Sequence, residues 1–340
     1  MITERLKVTR DEYNNSIERA SQLLNKGGIV AIPTETVYGL AASAYDSEAV
    51  NKVFKAKGRP QDNPLIVHIA DMEMLNEVAG NIPPEALKCA EKFWPGPLTM
   101  VLKRSDKIPA SVSAGLDTVA VRMPNHPIAL DTIRKSRLPL AAPSANISGR
   151  PSPTAANHVL CDLDGKIDAI VMAGDCSVGV ESTVISLCGD IPVVLRPGAV
   201  TVEQLSEILP YITVDKAVLS ELPKGARIAS PGMKYKHYSP ETEVFLVESD
   251  STDFAEFVNK KQNSAAICFE EESNEIVIPK LCYGSSSDEL TLARQVFSAL
   301  RNADGLNVGT VYVHAPSKSG VGLAVYNRLI RAAAFRVIKL

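Results

Sequence analysis

Between Gly27 and His68 the chain packs an apolar run, a hydroxyl-rich loop, a helical stretch and a basic turn into about forty residues. Ile29 to Ile32 is apolar and β-prone, with Gly28 before it and Pro33 after it, which predicts a buried strand. It runs out into Pro33-Thr34-Glu35-Thr36, polar side chains at a strand terminus, where open α/β sheets bind ligands. Asp46 and Ser47 are placed to cap the next helix, which carries Val50, Val53 and Phe54 on its buried face and stops near Gly58. Lys55, Lys57 and Arg59 crowd that stop. Cations beside a hydroxyl loop point to a small polyanionic ligand.

The same alternation of strand and helix continues to about residue 208. Further strands are expected at Pro64–Ile69, Leu98–Leu102, Val119–Arg122, Leu140–Ala142, Ala169–Met172, Ser182–Leu187 and Val193–Arg196, with helices at Pro84–Phe93 and Pro127–Arg134. Thr201-Val202-Glu203-Gln204 is a capping box. Some strands are joined by turns too short for a crossover helix, so the fold class is α/β with a mixed sheet over residues 1–208. Residues 209–240 are a linker punctuated by prolines and glycines; its end, Ser230-Pro-Gly-Met-Lys-Tyr-Lys-His-Tyr-Ser-Pro240, interleaves cations with tyrosines, unlike an ordinary spacer. Residues 241–340 resume the alternation as a smaller three-layer, Rossmann-like α/β domain. Its strands are expected at Val244–Val247, Ala265–Cys268, Ile276–Ile278 and Thr310–Val313, and its helices at Leu290–Ala303 and Leu323–Phe335. The loop Tyr283-Gly284-Ser285-Ser286-Ser287 reads as a surface turn.

At 340 residues two domains are the default, and a net charge of −3 argues against a protein that coats nucleic acid, although 36 lysines and arginines leave room for a local basic groove. The N-terminus lacks an apolar signal core and no apolar run is long enough to span a bilayer, so a cytoplasmic protein without membrane contact is expected. The six cysteines (Cys89, Cys161, Cys176, Cys188, Cys268, Cys282) form no CxxC pair and the five histidines no HExxH, so a protein-only metal cage is not expected; Mg²⁺ riding on nucleotide phosphates would leave no such signature. There is no GxxxxGK[ST], and Gly320-Val321-Gly322 lacks the rest of a dinucleotide fingerprint. No Ser-His-Asp or Cys-His arrangement suggests covalent catalysis.

What the chain offers instead is polar residues near strand ends: Thr34 and Thr36, then Lys57, Arg59, Asn63 and His68, then Thr118 and Arg122, Ser144-Ala145-Asn146, Ser152, Glu181-Ser182-Thr183 and Arg196. Singly, each has an ordinary structural use as a cap, an ion pair or a core histidine. Together they are expected to converge at one edge of the sheet.

PTETVYGL at 33–40, Lys57-Gly58-Arg59, the run Arg59-Pro-Gln-Asp-Asn-Pro-Leu65 and Ser144-Ala145-Asn146 resemble the Sua5/YrdC/YciO family of threonylcarbamoyl-AMP synthases. The linker and C-terminal domain resemble the family's long form, so the likeness spans essentially the whole chain. It implies a YrdC-like catalytic domain followed by a Sua5 domain. It also implies that L-threonine, bicarbonate or CO2 and ATP become threonylcarbamoyl-AMP and pyrophosphate, for the t6A modification of tRNA beside the anticodon. Mg²⁺ would accompany ATP with no organic cofactor, and a downstream threonylcarbamoyl transferase would receive the product. The family pattern places Thr36, His68, Arg122, Ala142 and Ser182 around threonine. Arg59, Asn63, Thr118, Ser144, Asn146, Ser152, Arg196 and Tyr238 would line the ATP side, with Lys57 and Arg59 offsetting charge during transfer and the linker closing as a lid. The competing readings are a double-stranded RNA or tRNA-binding module without catalysis, and a carbamoyl transfer enzyme, whose zinc and acylphosphatase-like segments are missing here.

Overall fold

The computed structural model describes residues 2–220 and 238–340. Most of the expected lid, including Lys224, Lys234, Tyr235, Lys236 and His237, lies outside the described residues. The first domain is built on strands β1 (Glu4–Lys7), β2 (Val30–Ile32), β3 (Gly39–Ser43), β4 (Ile66–His68), β5 (Ala79–Asn81), β6 (Leu98–Arg104), β7 (Thr118–Arg122), β8 (Leu140–Ala141), β9 (Ala169–Met172), β10 (Thr183–Ser186), β11 (Val193–Arg196) and β12 (Thr213–Val214). They form one mixed sheet in the order β1-β9-β2-β3-β8-β4-β7-β6-β10-β11-β12, with β5 on the flank of β6. β4 and β7 pair in parallel with His68 opposite Arg122, while β8 runs antiparallel to β4 with Leu140 opposite His68. β12 carries this sheet past residue 208, into the stretch expected to be linker.

Sequence signals account for several elements. Asp46 caps helix Ser47–Lys57 by accepting from the amides of Glu48 and Ala49, and Gly58 ends it with φ 61°, a left-handed conformation that costs glycine little. The capping box at Thr201 forms as read. β3 escaped the sequence reading: Gly39-Leu-Ala-Ala-Ser43 is small, apolar and buried throughout, with none of the alternation that betrays a half-exposed strand.

The second domain has five parallel strands, β13 (Glu243–Glu248), β14 (Ser264–Cys268), β15 (Lys280–Cys282), β16 (Thr310–His314) and β17 (Val337–Lys339), ordered β15-β14-β16-β13-β17. The expected strand at Ile276–Ile278 does not form. Ile276 instead drops into the core while Val277 is exposed, and pairing with β14 begins only after Pro279, which has no N–H to give a ladder. Helix Gly322–Ala332 is buried along its whole length, because it is pressed between its own sheet and the first domain. Val37 and Val180 of the first domain share an apolar cluster with Tyr238 and the second domain's core.

Gly198 lets the residues after β11 lie against those before β10. A Cβ there would stand 2.3 Å from the Thr183 amide nitrogen and 2.7 Å from the Ser182 carbonyl carbon. Gly198→Ala is expected to destabilise the fold by about 1–3 kcal/mol, read as a drop of several degrees in Tm. Gly174→Ala, with nothing within 4 Å of its Cβ, serves as the neutral control.

Candidate active site

One cleft gathers most of the polar residues singled out from the sequence. It is lined by Thr36, Lys57, Arg59, His68, Arg122 and Ala142, and further along by Ser144, Asn146, Ser182, Arg196 and Tyr238. The residues do not meet at one edge of the sheet, as expected, but enter from both ends of β4. His68 and Arg122 close the strands' carboxyl ends. Because β8 runs back along β4, the loop after it returns to the opposite end, where Gly39 bridges to Ser144 and Arg59 lies beside Asn63 and Pro64. The cleft therefore crosses the face of the sheet.

At the carboxyl end, Arg122 is buried and held on three sides. Its Nε donates to Gly96 O (3.2 Å) and its Nη1 to Thr36 Oγ1 (2.8 Å), while Nη2 lies 2.7 Å from Glu35 Oε1 without hydrogen-bond alignment. Burial pushes the Glu35 carboxyl up, but Arg122 and nearby backbone amides outweigh it and hold it below the usual carboxylate range. Thr34 sets the loop by accepting from the Val37 amide and donating to Val37 O (2.6 Å). His68 is buried, with Nδ1 3.3 Å from Ile66 O; burial and then Arg122 push its pKa down to about 3, so the ring is neutral at physiological pH. Ser182 Oγ pairs with Thr99 Oγ1 at 2.7 Å, and Arg196 grips the same residue through Nε to Ser182 O (3.0 Å) and Nη2 to Ser182 Oγ (3.2 Å).

Lys57 differs from the expectation. Its ammonium donates to Ser144 O, Asn146 O and Asn146 Oδ1, so its three N–H groups hold the Ser144–Asn146 loop rather than reach for a ligand. Burial first, and then Arg59, lower its pKa well below that of an exposed lysine. Arg59 spends Nη2 on Asn63 O (3.3 Å) and Pro64 O (3.1 Å), but its Nε is buried without a partner, as is Asn63 Oδ1. Burial pushes the Arg59 guanidinium down to about 10, short of losing its charge.

Asn63, Thr118 and Ser152 do not line the cleft. Thr118 opens β7 four residues from Arg122, on the Arg59 side. Ser152 is buried and donates to Glu181, a lining residue. Tyr238 caps the cleft from the second domain's side, packed on Phe297 with ring centroids 5.2 Å apart. The sequence reading gave no role to Glu35 or Glu181. Both sit inside motifs it quoted, yet a carboxylate among hydroxyls gives no hint of which cation will cover it.

Among the described residues no three histidine, cysteine or carboxylate side chains gather as a metal site, and Glu181 in the cleft is spent on Ser152 and Arg328. The donor set does not fit a protein-held metal; it fits anions and a polar small molecule. No helix among the described residues is long and apolar enough to cross a membrane.

Residues 22–198 match the family model of the Sua5, YciO and YrdC proteins, described as telomere recombination, and residues 200–334 match the threonylcarbamoyl-AMP synthase C-terminal domain. The threonylcarbamoyl-AMP synthase of Pyrococcus abyssi is 46% identical over 332 residues, 95% of each chain. That of Bacillus subtilis is 44% identical over 330 residues, covering 95% of this chain and 94% of its own. The crystal structure of P. abyssi Sua5 complexed with L-threonine superposes with a TM-score of 0.91 at 42% identity, covering 100% of both chains. E. coli YciO, at 22% identity and a TM-score of 0.52 over 58% of this chain, shares the fold.

The neutral His68 has a consequence for acid stability. Below about pH 6.5 the unfolded chain protonates this ring while the folded protein does not until about pH 3, so stability falls as pH drops through that window, by about 2 kcal/mol at pH 5. His68→Gln removes the group, and the difference in Tm between pH 7 and pH 5 is expected to shrink; an unchanged difference would mean the ring titrates freely.

Proposed function

The chain belongs to the Sua5/YrdC/YciO family in its two-domain form, and we propose that it makes threonylcarbamoyl-AMP from L-threonine, bicarbonate or CO2 and ATP. The activity is of the nucleotidyltransferase type. The observation that carries this reading is a single cleft with an arginine at each end, Arg122 braced by Glu35 and Arg59 with a buried Nε that has no hydrogen-bond partner. Two separated guanidiniums suit two separate anionic groups, a carboxylate and a polyphosphate.

Threonine would sit at the Arg122 end. Arg122 is already fixed by Gly96, Thr36 and Glu35, so its fork is oriented before a carboxylate arrives. Thr36, Ser182 and the neutral His68 would meet the amine and hydroxyl, with Ala142 against the methyl group. A site that bonds the hydroxyl rejects valine, because its buried partners would be left unpaired. ATP would enter as its Mg²⁺ complex at the other end, over Ser144, Asn146 and Arg59, with Asn63 and Thr118 flanking and Arg196 reaching its phosphates from beside Ser182. The threonine nitrogen adds to CO2, or to bicarbonate with loss of water. An oxygen of the resulting carbamate attacks the α-phosphorus, and pyrophosphate leaves. That chemistry requires alignment and charge neutralisation rather than a protein nucleophile. Arg59 supplies the charge, and Lys57 keeps the Ser144–Asn146 wall in place. Tyr238, which lines the cleft from the second domain's side, would help keep water from the adenylate. The product would pass to a threonylcarbamoyl transferase acting on tRNA.

Pyrophosphate release is expected only when ATP, L-threonine and bicarbonate are all present, with the adenylate trapped by mass spectrometry. Release from ATP alone would point to a nucleotide hydrolase, and salt-sensitive RNA binding without release to an RNA module. Arg59→Ala is expected to lower kcat/KM by about 10²–10³ while the fold survives. Near-parental turnover would remove Arg59 from the site.

A further inference from the structure

Arg328 is the most deeply buried cation of the second domain, with 0% of its surface exposed. It projects from helix Gly322–Ala332 into the first domain. Nε donates to Glu181 Oε2 (2.8 Å), Nη2 to Glu181 O (3.1 Å), and Nη1 to Pro197 O (2.8 Å) and Asn327 Oδ1 (2.9 Å). The next residue after Glu181 is Ser182, and the one before Pro197 is Arg196; both line the cleft and bond to each other. Ser152 holds the other oxygen of Glu181, and the Arg328 guanidinium lies 5.8 Å from the Tyr238 ring centroid.

Resting on the synthase reading above, we infer that Arg328 is a positioning residue. From the second domain it ties the Glu181–Ser182 and Arg196–Pro197 segments together, and so sets the spacing between the threonine and ATP halves of the cleft. Three features favour this over simple domain docking. The β10–β11 ladder ends at the Val184–Arg196 pair, with a register shift next to it, so Glu181, Ser182 and Pro197 lie just beyond the ladder where Arg328 holds them. The close approach at Gly198 means that a small shift in one segment forces the other to move. Other interdomain arginines behave differently: Arg294 donates to Ser177 O and Arg301 to Pro151 O and Asp162, none of which lines the cleft. The C-terminal domain thereby contributes to the active site without touching substrate.

The test compares Arg328→Lys, the charge-cancelled pair Arg328→Met with Glu181→Gln, and Arg294→Met in the full chain. Arg328→Lys keeps the positive charge beside Glu181 but replaces the wide planar fork, which reaches both Glu181 and Pro197, with one compact ammonium. The double variant removes the buried Arg328–Glu181 ion pair as a unit, so it folds where Arg328→Met alone would leave Glu181 without its closest cation. With Tm near parental, KM for ATP and for L-threonine are expected to rise by about tenfold in both Arg328 variants, since misplacing a positioning group commonly costs that much or more. Arg294→Met should leave both constants unchanged. A merely structural arginine would lower the folded fraction, and hence kcat, without moving either KM. KM values within about twofold of the parent in both Arg328 variants, or an equal rise in Arg294→Met, would overturn the inference. Calorimetric titration of the same proteins with ATP separates the two readings. A parent that binds ATP but does not turn over removes the synthase reading, and the clamp then stands or falls on whether Arg328→Lys weakens ATP binding. A parent that binds no ATP removes both.

Discussion

A cation taken out of water must find an acceptor for each N–H it carries, and four buried cations impose that requirement on the loops around this cleft. Lys57 draws in the Ser144–Asn146 loop, Arg122 the Thr36 loop and Gly96, Arg196 the segment before β10, and Arg328 both that segment and the turn after β11. Most of the acceptors are backbone carbonyls in stretches without helix or ladder. The chain's net charge of −3 gives no sign of this arrangement. The cationic lining is local, assembled from residues 57 to 196 and braced from behind by Arg328.

Division of labour among these cations follows from which of their donors are spent. Lys57 spends its donors on the Ser144–Asn146 wall of the cleft it lines. Arg59 retains a buried Nε without a hydrogen-bond partner, while Arg122, at the opposite end of β4, turns its Nη2 to Glu35 at 2.7 Å. Since an unsatisfied buried donor is costly, such atoms mark where a ligand completes the structure. Glu35 and Glu181 serve as counter-charges behind the arginines, lowering the cost of holding like charges within one cleft.

Much of this was legible in the linear order of residues. Asp46, Gly58 and the Thr201 capping box act within a few residues of themselves, so their roles can be read locally. The motif residues Thr36, Arg59, His68, Arg122, Ser144, Asn146, Ser182 and Arg196 all reached the cleft. β3 was missed because a strand buried on both faces shows no alternation, and the strand expected at Ile276 was misplaced because Pro279 delays pairing. Arg328 gave no signal at all: an arginine in an amphipathic helix reads as part of a solvated face until a second domain covers it.

By itself the sequence determined the class of fold, the two-domain division and the set of polar residues from which a site is made. Periodicity, caps and motif spacing are short-range properties and survive in one dimension. Tertiary structure alone decided that the polar residues enter from both ends of β4 and that Lys57 ties down the Ser144–Asn146 loop. It also decided that the second domain reaches the cleft through Arg328. Each of these depends on which distant carbonyl or carboxylate a buried cation meets, and that pairing is set by strand direction and domain packing.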